Sequence, residues 1–231
     1  MKEIEILQNE YTYAMREELK TLRTNLQFCG DDKRVILITS SAAGEGKSAT
    51  SLNLAVSLTE LGKKVILVDA DIRKSVMVSR LQKGTVNYGL AHFLAGQCQV
   101  SEAVCAVRNV EGLHMMFSGP SVPNPTELLS SSRFEKMILA FRKVYDYIII
   151  DGPPLGLVVD SAIIAKSCDG AAIVVAAGMV KYRFVQTVKE KILNAGCPVL
   201  GVILNKVDRD GGGKYYRKHY GKYYGEYYGK G

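Results

Sequence analysis

Ile36-Leu-Ile-Thr-Ser-Ser-Ala-Ala-Gly-Glu-Gly-Lys-Ser48 is the stretch from which the architecture follows. An apolar, β-prone start runs into a loop of small residues that ends Gly46-Lys47-Ser48. The next stretch, Ala49 to Leu61, places Leu52, Ala55, Val56 and Leu58 near helical spacing. Strand, loop and helix in this order predict a phosphate-binding unit. Successive N–H groups of such a loop converge on phosphate oxygens, and the helix N-terminus adds partial positive charge. The residues expected at a nucleotide are Ala43, Gly44, Glu45, Gly46, Lys47, Ser48 and Ala49. Lys47 would reach the β- and γ-phosphates, and the Ser48 hydroxyl would ligate Mg2+. Ser41 stands where the pattern G-x-x-x-x-G-K-[ST] has its first glycine.

Further apolar runs repeat the strand signal. Val65-Ile-Leu-Val precedes Asp69-Ala-Asp71-Ile-Arg73, and Tyr147-Ile-Ile-Ile precedes Asp151-Gly-Pro-Pro154. Four-residue apolar runs suit strands buried on both faces of a parallel sheet. Acids at their carboxyl ends lie where open α/β sheets place ligands. Asp69 and Asp71, two apart in an extended segment, point the same way. Ala171–Ala177 and Val199–Leu204 read as strands, with a helix over 181–195 between them. Residues 11–28 form an amphipathic helix with a Met15, Leu19, Leu22, Leu26 stripe, and Phe134, Met137, Ile138 and Phe141 mark another helix. Between 74 and 132 the pattern yields only a short helix at 89–94, a strand at 113–117 and a proline-marked loop, with Thr126 as the cap of the next helix. The prediction is an α/β, P-loop NTPase-like domain over 1–208, with a mostly parallel sheet, helices on both faces and an N-terminal helical element at 1–30.

From Asp208 the composition changes. The remainder of the 231 residues carries seven of the 13 tyrosines, regular glycines and no aliphatic side chain. Such a segment cannot build a core, so 209–231 is expected to be a disordered tyrosine-rich tail. It also accounts for most of the charge: residues 214–231 hold a net +4 of the overall +7. The globular part therefore gives no reason to expect nucleic acid. The five cysteines form no C-x-x-C pair and no ligand spacing with the three histidines, which predicts reduced, mostly buried thiols. No apolar run approaches the roughly 18 residues of a membrane span, and the N-terminus has no signal-peptide pattern. A cytoplasmic protein is expected, held at the membrane only through a partner.

Taken together, Ser41–Ser48, Asp69/Asp71/Arg73, Asp151/Pro154 and the Tyr215–Tyr228 cluster resemble the bacterial tyrosine kinases that control capsule and exopolysaccharide synthesis. The resemblance covers nearly the whole chain and fits the Gram-positive arrangement, in which a separate membrane protein activates the kinase. It implies a protein-tyrosine autokinase using ATP and Mg2+. Lys47, Asp69, Asp71 and Arg73 would be catalytic, and Ser48, Asp71 and Asp151 would hold the metal. One of Asp69 and Asp71 would accept the tyrosine proton, Arg73 would orient the acids or the phosphate, and Asn205 would contact adenine. The phosphoacceptors implied are Tyr215, Tyr216, Tyr220, Tyr223, Tyr224, Tyr227 and Tyr228. The family's E-x-x-R-x-x-R self-association helix falls on Glu17, Lys20 and Arg23, with lysine replacing the first arginine and its bidentate fork. The implied partners are a transmembrane activator of the polysaccharide co-polymerase type, a cognate tyrosine phosphatase, and further copies in a ring or dimer.

Two rivals are weighed against this. A partitioning or division-site ATPase carries a second lysine five positions before Lys47, where this chain has Ala42. A GTPase would explain Asn205-Lys-Val-Asp208 as N-K-x-D, but would need D-x-x-G where Asp151-Gly-Pro-Pro154 stands. ATP is expected over GTP.

Overall fold

The computed structural model describes residues 2–8 and 11–207. The tail 209–231 and its seven tyrosines lie outside the described residues, as does Asp208. The first half runs β1 (Lys2–Ile6), α1 (Tyr13–Phe28), β2 (Val35–Ser40), α2 (Lys47–Thr59), β3 (Val65–Asp69), a 3-10 turn (Met77–Arg80) and β4 (Leu81–Lys83). It continues with α3 (Leu90–Leu94), α4 (Val100–Ala103), β5 (Val104–Val107) and β6 (Leu113–Met116). The second half runs α5 (Pro125–Leu129), α6 (Ser132–Phe141), β7 (Tyr147–Asp151), α7 (Asp160–Ala165), β8 (Gly170–Ala176), α8 (Tyr182–Asn194) and β9 (Val199–Asn205).

The strands join one sheet in the order β4-β1-β5-β6-β3-β7-β2-β8-β9. From β6 to β9 every pairing is parallel. Side chains alternate across this part. Val35 and Leu37 face the layer of α3, α5, α6, α7 and α8, whereas Ile36 and Ile38 face α1 and α2. Both faces are covered, which is why these strands read as unbroken apolar runs. In α6 the expected stripe of Phe134, Met137, Ile138 and Phe141 is buried throughout. Each such side chain contributes about 1.5–3 kcal/mol through the area removed from water.

The remaining strands differ from the sequence expectation. The segment 1–30 is not helical from its start: Lys-Glu-Ile-Glu-Ile forms β1, with Ile4 and Ile6 buried. β1 lies between β4, which it meets antiparallel, and β5, which it meets parallel. β5 and β6 are also antiparallel. α1 begins after Thr12, whose hydroxyl accepts from the Met15 N–H at 3.3 Å. Thr126 does not cap α5: the cap is Asn124, Pro125 takes the first helical position, and Thr126 sits inside the first turn. Among the described residues no helix is long and apolar enough to cross a membrane.

Candidate active site

The sheet brings the predicted acids together by register. Ile38 is level with Asp151 on β7, and Asp151 is level with Asp69 on β3. The loop leaving β2 therefore emerges beside both carboxylates, at the rim where strand order places ligands. Lys47 and Ser48 open α2, with Ala49 behind them in its first turn. Gly46 caps the helix in the left-handed region at φ 93°. A Cβ there would stand 2.1 Å from Asn205 Nδ2, so close approach and backbone conformation both require glycine.

Lys47 Nζ lies 3.3 Å from Asp71 Oδ2 and 3.5 Å from Asp151 Oδ2, and donates to Ser48 Oγ at 3.2 Å. Ser51, one turn along α2, donates to Asp151 Oδ1 at 3.0 Å. Asp151 is 1% exposed, and burial raises its carboxyl against the lowering influence of Lys47, Ser48 and Ser51. Asp69 is equally buried. Desolvation first, and the Asp151 charge second, push it up to about 7. Ser75 Oγ donates to its Oδ2, the Ser118 N–H reaches the same oxygen at 3.3 Å, and the Asp71 N–H reaches Oδ1 at 3.3 Å.

Among the described residues no group of three or more His, Cys, Asp or Glu is assembled as a metal cage. Mg2+ is commonly held by one or two carboxylates together with phosphate oxygens and water. The hydroxyl of Ser48 with Asp71 and Asp151 is a hard oxygen set of that size, and the Lys47 ammonium marks where positive charge is favoured between the carboxylates. The residues fit the ion.

Arg73 is engaged differently from expectation, and Glu45 and Asn205 make additional contacts that the sequence does not predict. Arg73 does not orient Asp69 or Asp71. Its Nε and Nη2 donate to Asp160 at 2.5 and 3.0 Å, and Nη2 also reaches Thr126 Oγ1 at 3.2 Å. The Glu45 side chain is buried and turned inward, accepting from the N–H groups of Ala42 at 2.6 Å and Ala176 at 3.3 Å. Only its backbone is left for a phosphate. Asn205 spends its amide nitrogen on the Glu45 carbonyl at 2.9 Å. Of the self-association residues, exposed Glu17 and Lys20 pair with each other at 2.7 Å. Arg23 is instead drawn onto α2, donating to Glu60 Oε2 at 2.8 Å and to the Ser57 carbonyl at 2.7 Å. Asp160, Ser75, Ser118 and Ser51 are not among the expected site residues, and Thr126 and Lys206 appear there only as a helix cap and as part of the N-K-x-D-like run. Of the first four, only Asp160, an acid opening a helix, carries a local signal.

Residues 33–192 match the family model described as AAA domain. The chain is 43% identical over 210 residues to the tyrosine-protein kinase CpsD of Streptococcus agalactiae, a match spanning 90% of this chain and 91% of that protein. The kinase domain of the Escherichia coli tyrosine kinase ETK shares the fold with a TM-score of 0.81 and 25% identity, over 91% of both chains. The septum site-determining protein MinD of Pyrococcus horikoshii, solved in complex with Mg-ADP, gives a TM-score of 0.62 at 25% identity, over 80% of this chain and 76% of its own.

Proposed function

The chain belongs to the bacterial tyrosine-protein kinases, and from that premise we propose that it moves the γ-phosphate of ATP onto tyrosines of its own C-terminal cluster, from one copy to the tail of another. The observation that carries the reading is the meeting of Lys47 with Asp71 and Asp151 at 3.3 and 3.5 Å beside the buried Asp69. The loop amides and Lys47 bind the phosphates, while Ser48, Asp71 and Asp151 hold Mg2+. The metal, when bound, neutralises phosphate charge. Asp69, lifted to about 7, accepts the phenolic proton as the tyrosine oxygen bonds to phosphorus and the bond to the ADP oxygen breaks. Asn205 keeps its side-chain oxygen to accept from the adenine amino group.

The same reading assigns the protein to control of capsular or exopolysaccharide synthesis, at the cytoplasmic face of the membrane. A transmembrane activator of the co-polymerase type would hold it there, a tyrosine phosphatase would reset it, and copies would assemble through the α1 face bearing Glu17 and Lys20. The test is purified protein with Mg·ATP, with and without the cytosolic segment of the activator, read by phosphotyrosine mapping. Lys47→Met is expected to abolish phosphate at Tyr215–Tyr228; the Lys47 side chain is only 11% exposed between Asp71 and Asp151, so circular dichroism of the variant accompanies the labelling to show that the fold persists. Near wild-type labelling in that variant would refute the assignment.

A further inference from the structure

Asn205 and Lys206, at the end of β9, grip the phosphate loop from outside. Asn205 Nδ2 donates to the Glu45 carbonyl at 2.9 Å, and Lys206 Nζ donates to the Gly44 carbonyl at 2.7 Å. A trans peptide points its C=O and its N–H in opposite directions. The Gly44 carbonyl shares a peptide plane with the Glu45 N–H, and the Glu45 carbonyl shares one with the Gly46 N–H. A donor held on each carbonyl from outside therefore aims both N–H groups inward. The Glu45 side chain completes the brace by tying the loop to itself at Ala42 and to β8 at Ala176. Among the described residues Lys206 is the one non-glycine with positive φ, at 55°, so the backbone is bent where the ammonium turns back to the loop.

We propose that Lys206, assisted by Asn205, is a positioning residue for nucleotide, presetting the Glu45 and Gly46 N–H groups toward the phosphates before ATP arrives. The inference rests on the loop being the nucleotide site. It also gives the first two residues of the N-K-x-D-like run 205–208 a task that needs no guanine.

The experiment is calorimetric titration of the full chain with Mg·ADP, which requires no phosphotransfer, for wild type, Lys206→Met and Lys206→Arg. Lys206 is exposed, so the methionine variant loses the ammonium and disturbs no core packing. Loss of one charge-assisted hydrogen bond is expected to raise the ADP Kd about tenfold, and arginine is expected to restore most of it. In activator-stimulated phosphorylation, the KM for ATP rises in Lys206→Met while kcat stays within about twofold, since uniform binding alone is lost. An unchanged Kd in Lys206→Met, or a fall in kcat with KM unmoved, overturns the proposal. Failure of the wild type itself to bind ADP would instead overturn the nucleotide site, and this inference with it.

Discussion

Asp69 closes β3 inside the protein, and its titration can be followed directly. In the unfolded chain it ionises near 3.8, and in the fold it is held at about 7. The folded protein therefore keeps this proton where the unfolded chain has lost it. The stability contributed by protonated Asp69 is complete below about pH 4 and is lost as pH rises toward 7 in nucleotide-free protein. Asp69→Asn does not titrate, so its unfolding midpoint should lack that part of the decline. Its kcat should drop by about 10²-fold or more, and wild-type kcat/KM should climb with pH as Asp69 loses its proton, at a pH that bound Mg2+ sets below the nucleotide-free value. A wild-type profile with no such acid limb, or a fully active Asp69→Asn, would sink the role. Lys47, Asp69, Asp71 and Asp151 were legible because a strand-end acid and a glycine-flanked lysine carry their geometry with them. Ser118 was not, since it meets Asp69 from 49 positions away along a path that only the folded loop defines.

The elements around the site are tied by one clamp. Arg73 leaves the segment after β3 and is gripped bidentately by Asp160, which opens α7, while Thr126 of α5 donates to Asp160 Oδ1 at 3.1 Å. Asp160 is buried, and the first turn of a helix favours its negative charge. Asp160→Asn should destabilise the fold by about 1–3 kcal/mol, the cost of disturbing a charge-assisted pair whose arginine end is partly solvated. It should also lower turnover by loosening the segment that carries Asp71. Urea midpoints and initial rates measured together check this, and an unaltered midpoint would show that the clamp contributes nothing. The sequence shows Arg73 beside the strand-end acids but not its partner, because Asp160 lies 87 positions later. At the same scale, the parallel strands were visible as apolar runs covered on both faces. β4 and β5 are only three and four residues long, too short for a period to register. β1 did carry alternation, with Ile4 and Ile6 inward, but over five residues it was outweighed by the helix that follows.

For the molecule as a whole, the proposed transfer between copies turns on the length of the C-terminal segment. Residues 209–231, fully extended, span at most about 75 Å. A domain of this size has a radius of gyration near 17 Å, about a quarter of that reach. A neighbouring copy is within range. Phosphates of roughly −1.5 to −2 each on seven tyrosines would turn the +4 tail into one of about −7 to −10. Such tails would repel one another and the acidic rim, so phosphorylation should dissociate the proposed oligomer. Mixing Lys47→Met protein with a tailless active one, then mapping and sizing the products, tests both parts. No phosphate on the inactive partner rules out transfer between copies, and an unchanged mass rules out the switch. The brace on the phosphate loop has a consequence of another kind, for the order in which the protein is made. β2 pairs with β7 and β8, and the loop's outer holds come from Ala176, Asn205 and Lys206. At about 5–20 residues per second, on the order of ten to thirty seconds separate synthesis of the loop from synthesis of its last support. A nascent chain on the ribosome thus has the nucleotide motif long before it has a rigid nucleotide site, and kinase chemistry waits for a nearly finished domain.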